Sequence, residues 1–492
     1  MKRKHLLRKI TSLLLTTVLA VSVLTAAAAF PSSAAEVQMQ TFGYISEYED
    51  FYQEHAELID RIALGIYNMD ASISVRDLTI PYPDTDIGKV LTIVNRIHPE
   101  LFYFSGMSYT IYSSGGAKYL GEIRPRYLYT NDEIAAMREE FYSRAQWFID
   151  KVDDNMSDFD KALLLHDELA LYGSYLLSGE TYSFMVEGKG KCYGYSEVYA
   201  FLLAQVGIKS EIIESSAMNH QWNKVCIDGV YYHVDITWDD PVPDRPGFSK
   251  HTFFLLSDDA IQGMAEGDRH YGYETAFPSD NRFDNYSFHK INTKLCKIGD
   301  GYYVVDNNSG SAHQKELLIY DYDTDSYKTV KEFHSEYWRT ASGGYWLGGY
   351  MALLEQDGYL YMNTPNKVYV YDTETEEFTT FYENTFDYSL YGLKIVDGKL
   401  YVALAETPNK ERTLEYIGDC LVREKPLPEY TLGDVDDDGR VTIKDATQIQ
   451  RYLAEMIEFT PRELLAANVD SKDDVTINDV TAIQMIVAEY YD

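Results

Sequence analysis

Cysteine and basic residues are scarce in this chain of 492 residues. Its 43 Lys and Arg face 78 Asp and Glu, which gives a formal charge of −35. A nucleic-acid-binding protein needs basic surface to displace the counterions of phosphate, so this balance argues against that class. The four cysteines are far apart, which excludes a disulfide-rich scaffold and a zinc site made of closely spaced cysteines. They are Cys192, Cys226, Cys296 and Cys420.

Long hydrophobic runs are missing after residue 35, so no later segment is expected to span a membrane. Before it, five Lys and Arg residues precede an apolar run from about Ile10 to Phe30, and small residues close the segment at Ala35. This order is typical of a secretory signal peptide cleaved after Ala35. An uncleaved anchor is the alternative, because the run is nearly long enough to span. Cleavage would remove five positive charges and change the formal charge from −35 to −40.

A hydrophobic content of 45% with 25% charged residues is typical of a folded, soluble chain. The length allows about three to five domains. Residues 36–155 are predicted to be mainly helical, with helical apolar spacing over residues 50–68. Thr130 stands three residues before Glu133, and this capping box predicts a helix that continues to about Val152. Ser157 begins a second cap, ahead of a helix in which His166 is interpreted as structural.

A strand-rich region follows over residues 286–423. Short alternating segments are separated by Asp-Gly turns at 300–301, 357–358 and 397–398. Residues 319–324 and 369–373 resemble each other, with a spacing that suggests propeller blades. About three blades fit into this region, which is fewer than a closed propeller usually needs. We therefore predict a β-repeat domain and leave its closure open.

Cys192 lies where a glycine-rich segment, residues 188–196, leads into an apolar helix that ends at Gly207. At a helix N-terminus, unpaired N–H groups and the helix dipole favour thiolate over thiol. The glycines would allow a substrate to approach the backbone closely. A lone cysteine in such a place is a weak signal for catalysis.

Two segments around Asp228-Gly229 strengthen that signal. Residues 220–227 and 230–237 are predicted to form a hairpin, in which paired residue numbers sum to 457. His220 and Asp235 are then diagonal neighbours on one face. Asp235 would orient the imidazole, while the other ring nitrogen faces the thiol of Cys192. This gives a nucleophile, a base and an orienting acid.

Other residues of the hairpin admit different interpretations. His233 shares the face of His220 but lies on the same strand as Asp235, so His220 is preferred as the base. Cys226 is interpreted as a packing residue. Trp222 and Trp238 either wall a cleft or pack the hairpin, and packing is preferred.

The Gly-rich lead to Cys192, the segment NHQWN at 219–223 and the segment YHVDITWDDP at 232–241 resemble the bacterial transglutaminase-like superfamily over residues 156–285. The resemblance implies a papain-like core with Cys192 as nucleophile, His220 as general base and acid, and Asp235 as orienter.

The same resemblance implies an oxyanion donor upstream of the cysteine. Tyr182 is one candidate, and the backbone N–H of Cys192 is another. Gln221 stands where the superfamily usually has a small residue, a departure that bears on access to the site.

After a linker at residues 424–431 that contains two prolines, residues 432–492 contain a duplication with an offset of 34. The first loop places oxygen ligands for Ca²⁺ at alternate positions, with Gly439 at the sharp turn. The predicted ligands are Asp434, Asp436, Asp438, Arg440, Thr442 and Asp445.

The second loop departs from this pattern. Lys472 occupies position five and Asp473 replaces the turn glycine. A lysine that points at a bound cation is unfavourable, so we expect this loop to bind calcium weakly, to bind it in an altered geometry, or not to bind it. Its candidate ligands are Asn468, Asp470, Asp474, Thr476 and Asp479.

The two loops, each followed by a helix, resemble a type I dockerin, an EF-hand-like α module. The resemblance implies docking to a cohesin module on a scaffold or cell surface, as in cellulosomes. In that family the partner is read near loop positions ten and eleven and on the following helix. Here these are Ile443, Lys444, Gln450, Arg451, Ile477, Asn478, Gln484 and Met485.

Together, the patterns predict a secreted α+β multidomain protein: a dockerin-bearing cysteine acyl-transfer enzyme that acts on peptide or protein amides. Proteolysis, deamidation and crosslinking are left open. The alternative is a non-catalytic protein that binds peptide or polysaccharide and is anchored to a cohesin scaffold. Glycoside hydrolysis needs two facing carboxylates, and the sequence indicates no such pair.

Overall fold

A computed structural model describes residues 48–489, except 154, 276, 306–313, 339–343, 345–348, 409, 424–429, 455, 471 and 473. The chain divides into two compact units, Met1–Cys420 and Leu421–Asp492. The predicted signal peptide and most of the predicted linker lie outside the described residues. Among the described helices, none is both long enough and apolar enough to cross a membrane.

The predicted helices of the larger unit are present, and side-chain caps fix two of their starts. Thr130 and Ser157 form capping boxes with Glu133 and Asp160, as the sequence predicts. The helices described in this unit are α1 Glu49–Tyr67, α2 Ile87–Ile97, α3 Asn131–Ile149, α4 Asp158–Tyr172, α5 Thr181–Glu187, α6 Cys192–Gln205, α7 Ile236–Asp239 and α8 Asp258–Gly263.

A long hairpin interrupts the region that was predicted to be mainly helical. Strands β2 Phe104–Ser114 and β3 Ala117–Tyr127 pair around Gly115-Gly116, and β1 Ile73–Ser74 adds a short third strand beside β3. Much of β2 is exposed on both faces, so the apolar alternation that identifies a strand is weak there. The Gly-Gly pair was the available sequence signal.

The sheet beside the predicted site is antiparallel, in the order β6 Ser210–Ser215, β7 His220–Ile227, β8 Val230–Val234 and β9 Phe254–Leu256. The β7–β8 pairs sum to 457, as predicted, and both turn residues have positive φ. The predicted second strand is wrong beyond Val234. Asp235 begins α7 instead, because its side chain accepts a hydrogen bond from the backbone N–H of Trp238 at 3.2 Å.

Three further antiparallel sheets follow one another in chain order, and none of the described sheets closes into a barrel. Their hairpins lie at the predicted Asp-Gly positions, although the first turn is formed by Gly299-Asp300. Each of the similar segments noted above covers the end of the third strand of one of the first two sheets and continues into the turn that follows. The strands are β10 Cys296–Ile298, β11 Gly301–Val305, β12 Gln314–Asp321, β13 Ser326–His334, β14 Leu353–Gln356, β15 Tyr359–Asn363, β16 Lys367–Asp372, β17 Phe378–Glu383, β18 Ser389–Val396, β19 Lys399–Ala405 and β20 Thr413–Asp419.

One apolar core continues across residues 155 and 285, where the sequence suggested domain boundaries. Phe141, Phe159, Tyr199, Phe254 and Tyr302 are all buried in it. Helix α6 crosses this core and is buried on most sides. Burial of the helix body fixes the position of its first residue, Cys192.

The smaller unit contains α9 Ile443–Leu453, α10 Pro461–Ala467 and α11 Ile477–Glu489. Ile449 and Ile483, which are equivalent by the 34-residue offset, are both fully buried in its core. The short helix α10 was not predicted. It begins at a capping box formed by Thr460 and Glu463.

Candidate active site and calcium loops

Cys192 is the first residue of α6, and its side chain is nearly buried. The glycines around it have a packing role. A Cβ atom at Gly190 or Gly194 would lie 2.9 or 2.8 Å from Cβ of Phe184, so only glycine allows α5 to pack this closely against the start of α6. These two glycines therefore position the cysteine, and the predicted role in substrate approach is not needed to explain them.

His220 links the cysteine to an acid. Its Nε2 lies 2.6 Å from Oδ2 of Asp235, and its imidazole also interacts with the thiol of Cys192. Since Nε2 is engaged by Asp235, Nδ1 is the nitrogen that faces the sulfur. The structure thus brings together the three side chains that the sequence singled out.

The charge of the pair follows from its surroundings. Burial alone would lower the pKa of His220, but the charge and hydrogen bond of Asp235 and the contact with Cys192 outweigh it and raise the pKa to about 10. The pKa of Asp235 is lowered, because two imidazoles offset the cost of its burial. The pair is therefore an imidazolium and a carboxylate at neutral pH.

A second histidine contacts the same carboxylate. His270 is fully buried, and its Nε2 lies 2.8 Å from Oδ2 of Asp235. This residue was not predicted from the sequence, since it follows Asp235 by 35 residues and belongs to no recognisable spacing.

Two indoles lie nearly parallel to the ring of His220. The centroid distances are 5.6 Å to Trp222 and 5.3 Å to Trp238. Trp222 is buried and donates its Nε1–H to Nδ1 of His233 at 2.9 Å. Trp222 is therefore a packing residue, as preferred, whereas Trp238 is only partly buried.

His233 and Cys226 lie apart from the triad. Nε2 of His233 contacts Asp258 at 2.9 Å, and burial lowers the pKa of His233 to about 4 despite this contact. This ring is therefore neutral at neutral pH. Burial also raises the pKa of the Cys226 thiol. Neither side chain has the surroundings of an activated base or nucleophile.

The proposed oxyanion residue Tyr182 is misplaced. Its hydroxyl donates to Glu140 and its ring packs on Phe102, so it does not serve the site. Tyr175 is a tyrosine whose hydroxyl interacts electrostatically with Cys192. It lies in the short strand β4 Ser174–Tyr175, opposite Gly190 of the parallel strand β5 Lys189–Gly190. Its pKa is raised by burial first and then by charge at the cysteine.

Gln221 does not obstruct the site, because it points to the opposite side of the strand from His220. It is fully buried and donates from Nε2 to Oγ of Ser196 at 2.7 Å. Ser196 donates in turn to the carbonyl oxygen of Cys192 at 2.9 Å. Gln221, which stands where the superfamily usually has a small residue, therefore links β7 to α6.

His166 is structural, as interpreted from the sequence. Fully buried, it lies 3.1 Å from Asp167 and 3.2 Å from Asp239, the last residue of α7. His251 contacts the same Asp167 oxygen at 2.7 Å. This buried network therefore helps to hold α7, the helix that Asp235 begins.

The first predicted calcium loop gathers carboxylates into a small space. One oxygen each from Asp434, Asp436 and Asp445 lies within 4.8 Å of the others. Burial and then the charges of neighbouring aspartates raise the pKa of Asp436. Asp438 donates its backbone N–H to Asp434 at 3.1 Å, which closes the loop. A divalent cation would relieve this repulsion, so the donor set fits calcium.

Thr442 caps the helix that follows the first loop. Its hydroxyl donates to Asp445 at 3.1 Å and accepts the N–H of Lys444, as a helix cap does. Thr476 makes the equivalent contacts with Asp479 in the second loop. Both threonine hydroxyls are engaged at helix starts, and their role as calcium ligands stays a prediction. Arg440 donates its N–H to Asp438 at 3.0 Å.

In the second loop a lysine stands where the first loop has an acid. Nζ of Lys472 lies 2.8 Å from Oδ2 of Asp470. The backbone N–H of Lys472 donates to Oδ1 of Asn468 at 3.1 Å. This ion pair lowers the pKa of Asp470. Asp474 is exposed, and Asp473 lies outside the described residues. The loop's charge is thus partly neutralised from within.

No protein-family model matches this sequence, and no curated protein is similar enough to be a match. The chain must therefore be assigned a function from its own residues. Those residues are the Cys192–His220–Asp235 chain in the larger unit and the paired acidic loops in the smaller one.

Proposed function

We propose that this protein is an exported cysteine acyl-transfer enzyme of the transglutaminase-like type, which acts on peptide or protein amides. The observation that carries this is the hydrogen bond between His220 and Asp235 beside the thiol of Cys192, which begins a buried helix. A thiol, an imidazole and a buried carboxylate in this order are the parts of a cysteine acyl-transfer site.

The reaction follows from the charges of these groups. The sulfur of Cys192, as thiolate beside the His220 imidazolium, attacks the amide carbonyl carbon. The imidazolium gives its Nδ1 proton to the nitrogen of the breaking C–N bond, which leaves an amine and a thioester. Water or a second amine then gives its proton to Nδ1 while its oxygen or nitrogen replaces the sulfur. Hydrolysis yields an acid, and transfer yields a new amide.

Two groups are candidates for stabilising the oxyanion that forms during attack. The backbone N–H of Cys192 belongs to the unpaired first turn of α6. The hydroxyl of Tyr175 is the second candidate, because β4 places this residue beside the segment that leads to the cysteine. Asp235 keeps the His220 ring oriented throughout, since its own charge does not change.

Alkylation and substitution test this function. In the native chain, Cys192 should react with iodoacetate faster than a free cysteine, because the neighbouring imidazolium favours the thiolate and attracts the anion. Cys192→Ala should abolish both this labelling and the cleavage or crosslinking of a peptide pool. Cys226→Ala is the matched control and should change neither. Amide turnover that survives in Cys192→Ala would refute the mechanism.

We also propose that the smaller unit is a dockerin-like module that binds calcium in its first loop and docks to a cohesin. Asp434, Asp436, Asp438 and Asp445 would hold the ion, which would supply positive charge that fixes the loop. Ile443 and Ile477, equivalent by the 34-residue offset, are 54% and 60% exposed, and Met485 is 59% exposed. Exposed apolar side chains at the positions that read the partner support a docking face.

Chelation tests this second assignment. Calcium should bind with a stoichiometry near one per chain, and Asp445→Asn should remove most of that binding. Cohesin capture should be lost with a chelator and return with calcium. Capture that is independent of calcium would contradict the assignment. Ile443→Glu is the matched docking variant, expected to weaken capture and leave calcium binding intact.

The finer fold and location complete the proposal. Residues 156–285 form a papain-like core, and the three sheets of residues 296–419 are propeller-like blades that follow it. Export depends on cleavage after Ala35, so N-terminal sequencing of the extracellular protein should begin at Glu36. A mature protein that keeps residues 1–35 would favour the membrane anchor instead.

A further inference from the structure

The carboxylate of Asp235 has more partners than a simple triad requires. Its Oδ2 faces Nε2 of His220 at 2.6 Å and Nε2 of His270 at 2.8 Å, while its Oδ1 accepts the N–H of Trp238. The two imidazoles therefore share one oxygen of a buried acid. Nδ1 of His270 lies 3.2 Å from the carbonyl oxygen of Asp268, so this ring is held at both nitrogens.

These contacts have the lengths of hydrogen bonds. A tetrahedral zinc ion bound at about 2.0–2.1 Å would hold its ligand atoms roughly 3.3 Å apart. Both N···O distances on Asp235 are shorter than that. The cluster of His220, Asp235 and His270 is thus arranged for proton sharing and orientation.

We propose that His270 is a positioning residue of the acyl-transfer site, which fixes the Asp235 carboxylate and takes part of its charge away from His220. This inference rests on the proposed function, since it assigns a role within the same site. The consequence is chemical. An acid held too tightly to its carboxylate is a poor proton donor, and a competing N–H on the same oxygen keeps the His220 imidazolium able to release its proton to the leaving amine.

The charged and titratable groups around the pair are few. Cys192 faces His220 from α6, Asp235 lies at the start of α7, and His270 approaches from the loop after α8. His233, on β8, acts on His270 only at a distance and is neutral. Removal of the His270 N–H should therefore strengthen the hold of Asp235 on His220.

Alkylation of Cys192 by iodoacetate reads this out without a known substrate, because the anion is attracted while His220 is an imidazolium. In full-length protein, His270→Phe keeps the ring but removes the donor. The high-pH limb of the rate profile should move upward by about one pH unit. His270→Gln restores an N–H donor at the same reach and should return the limb towards wild type. A purely structural role predicts no upward move, and an unchanged or lowered limb in folded His270→Phe would overturn the proposal.

Three controls separate the outcomes. Any alkylation that persists in Cys192→Ala is subtracted as background. In the wild type, an alkylation rate at Cys192 no higher than that at Cys226 would refute the proposed function itself. Should His270→Phe fail to fold, ring-¹⁵N spectra of the wild-type chain decide: a proton on Nε2 of His270 is expected, and its absence overturns the proposal. Stoichiometric zinc that is lost with His270→Phe would also overturn it.

Discussion

Asp235→Asn is the substitution whose effect the structure predicts most directly. The side chain keeps its size and can still cap α7, since asparagine is also a good N-cap. What changes is the charge beside His220. Burial, which lowers the pKa of the imidazole, would then be opposed only by the smaller effect of the Cys192 thiol.

The size of the effect follows from that change. The pKa of His220 is about 10 beside the carboxylate. Without it, the pKa should fall to the ordinary value of about 6.5 or below. At pH 8 the imidazolium fraction then falls from nearly all molecules to about 3% or less, a loss of at least about 30-fold in the form that donates a proton.

The assay is the pH profile of Cys192 alkylation by iodoacetate, followed by amide turnover once a substrate is found. The high-pH limb should move down by at least about 3.5 pH units in Asp235→Asn. Asp258→Asn is the matched control, because it removes the same charge from a different buried histidine, His233, and should leave the limb in place. A profile that is unchanged in Asp235→Asn would refute the electrostatic coupling on which the mechanism depends.

Three further predictions concern stability and calcium. The pKa of His166 is about 9 in the folded chain, since Asp167 and Asp239 outweigh its burial. The contribution of His166 to stability is therefore complete below about pH 6.5 and is lost as the pH rises towards 9. The pKa of Asp167 is lowered, so the contribution of Asp167 to stability is lost as the pH falls below about 4. The thermal midpoint should therefore fall between pH 6 and 9 in the wild type and fall less in His166→Gln; an equal fall would exclude this network as the cause. Ile449→Ala should cost about 2–5 kcal/mol of the unfolding free energy of the smaller unit, measured by denaturant titration of the full chain, with exposed Thr447→Ala as the near-neutral control. Lys472→Asp should raise the calcium stoichiometry from one to two in a calorimetric titration, because it removes the internal cation from the second loop; a stoichiometry that stays at one would show that another feature disables that loop.

The sequence alone determined the features that depend on neighbours a few residues away. Thr130 and Ser157 mark helix starts because their hydroxyls bond backbone groups of the next turn. Asp228-Gly229 sets the β7–β8 register because few residues adopt positive φ twice in succession. His220 and Asp235 were found together for the same reason, since a hairpin makes them near neighbours.

The tertiary structure decided what long-range contacts control. His270 reaches Asp235 across 35 residues through a loop, and no local pattern encodes that contact. Gly190 and Gly194 are glycines because Phe184, on a different helix, leaves no room for a Cβ atom. The glycine-rich segment by itself suggested instead that these glycines let a substrate approach the backbone. Strand β8 stops at Val234 because the side chain of Asp235, a residue of the candidate site, accepts a hydrogen bond from the backbone N–H of Trp238. Local propensity placed the cysteine, the histidine and the acid, but packing between distant segments determined how the acid is held.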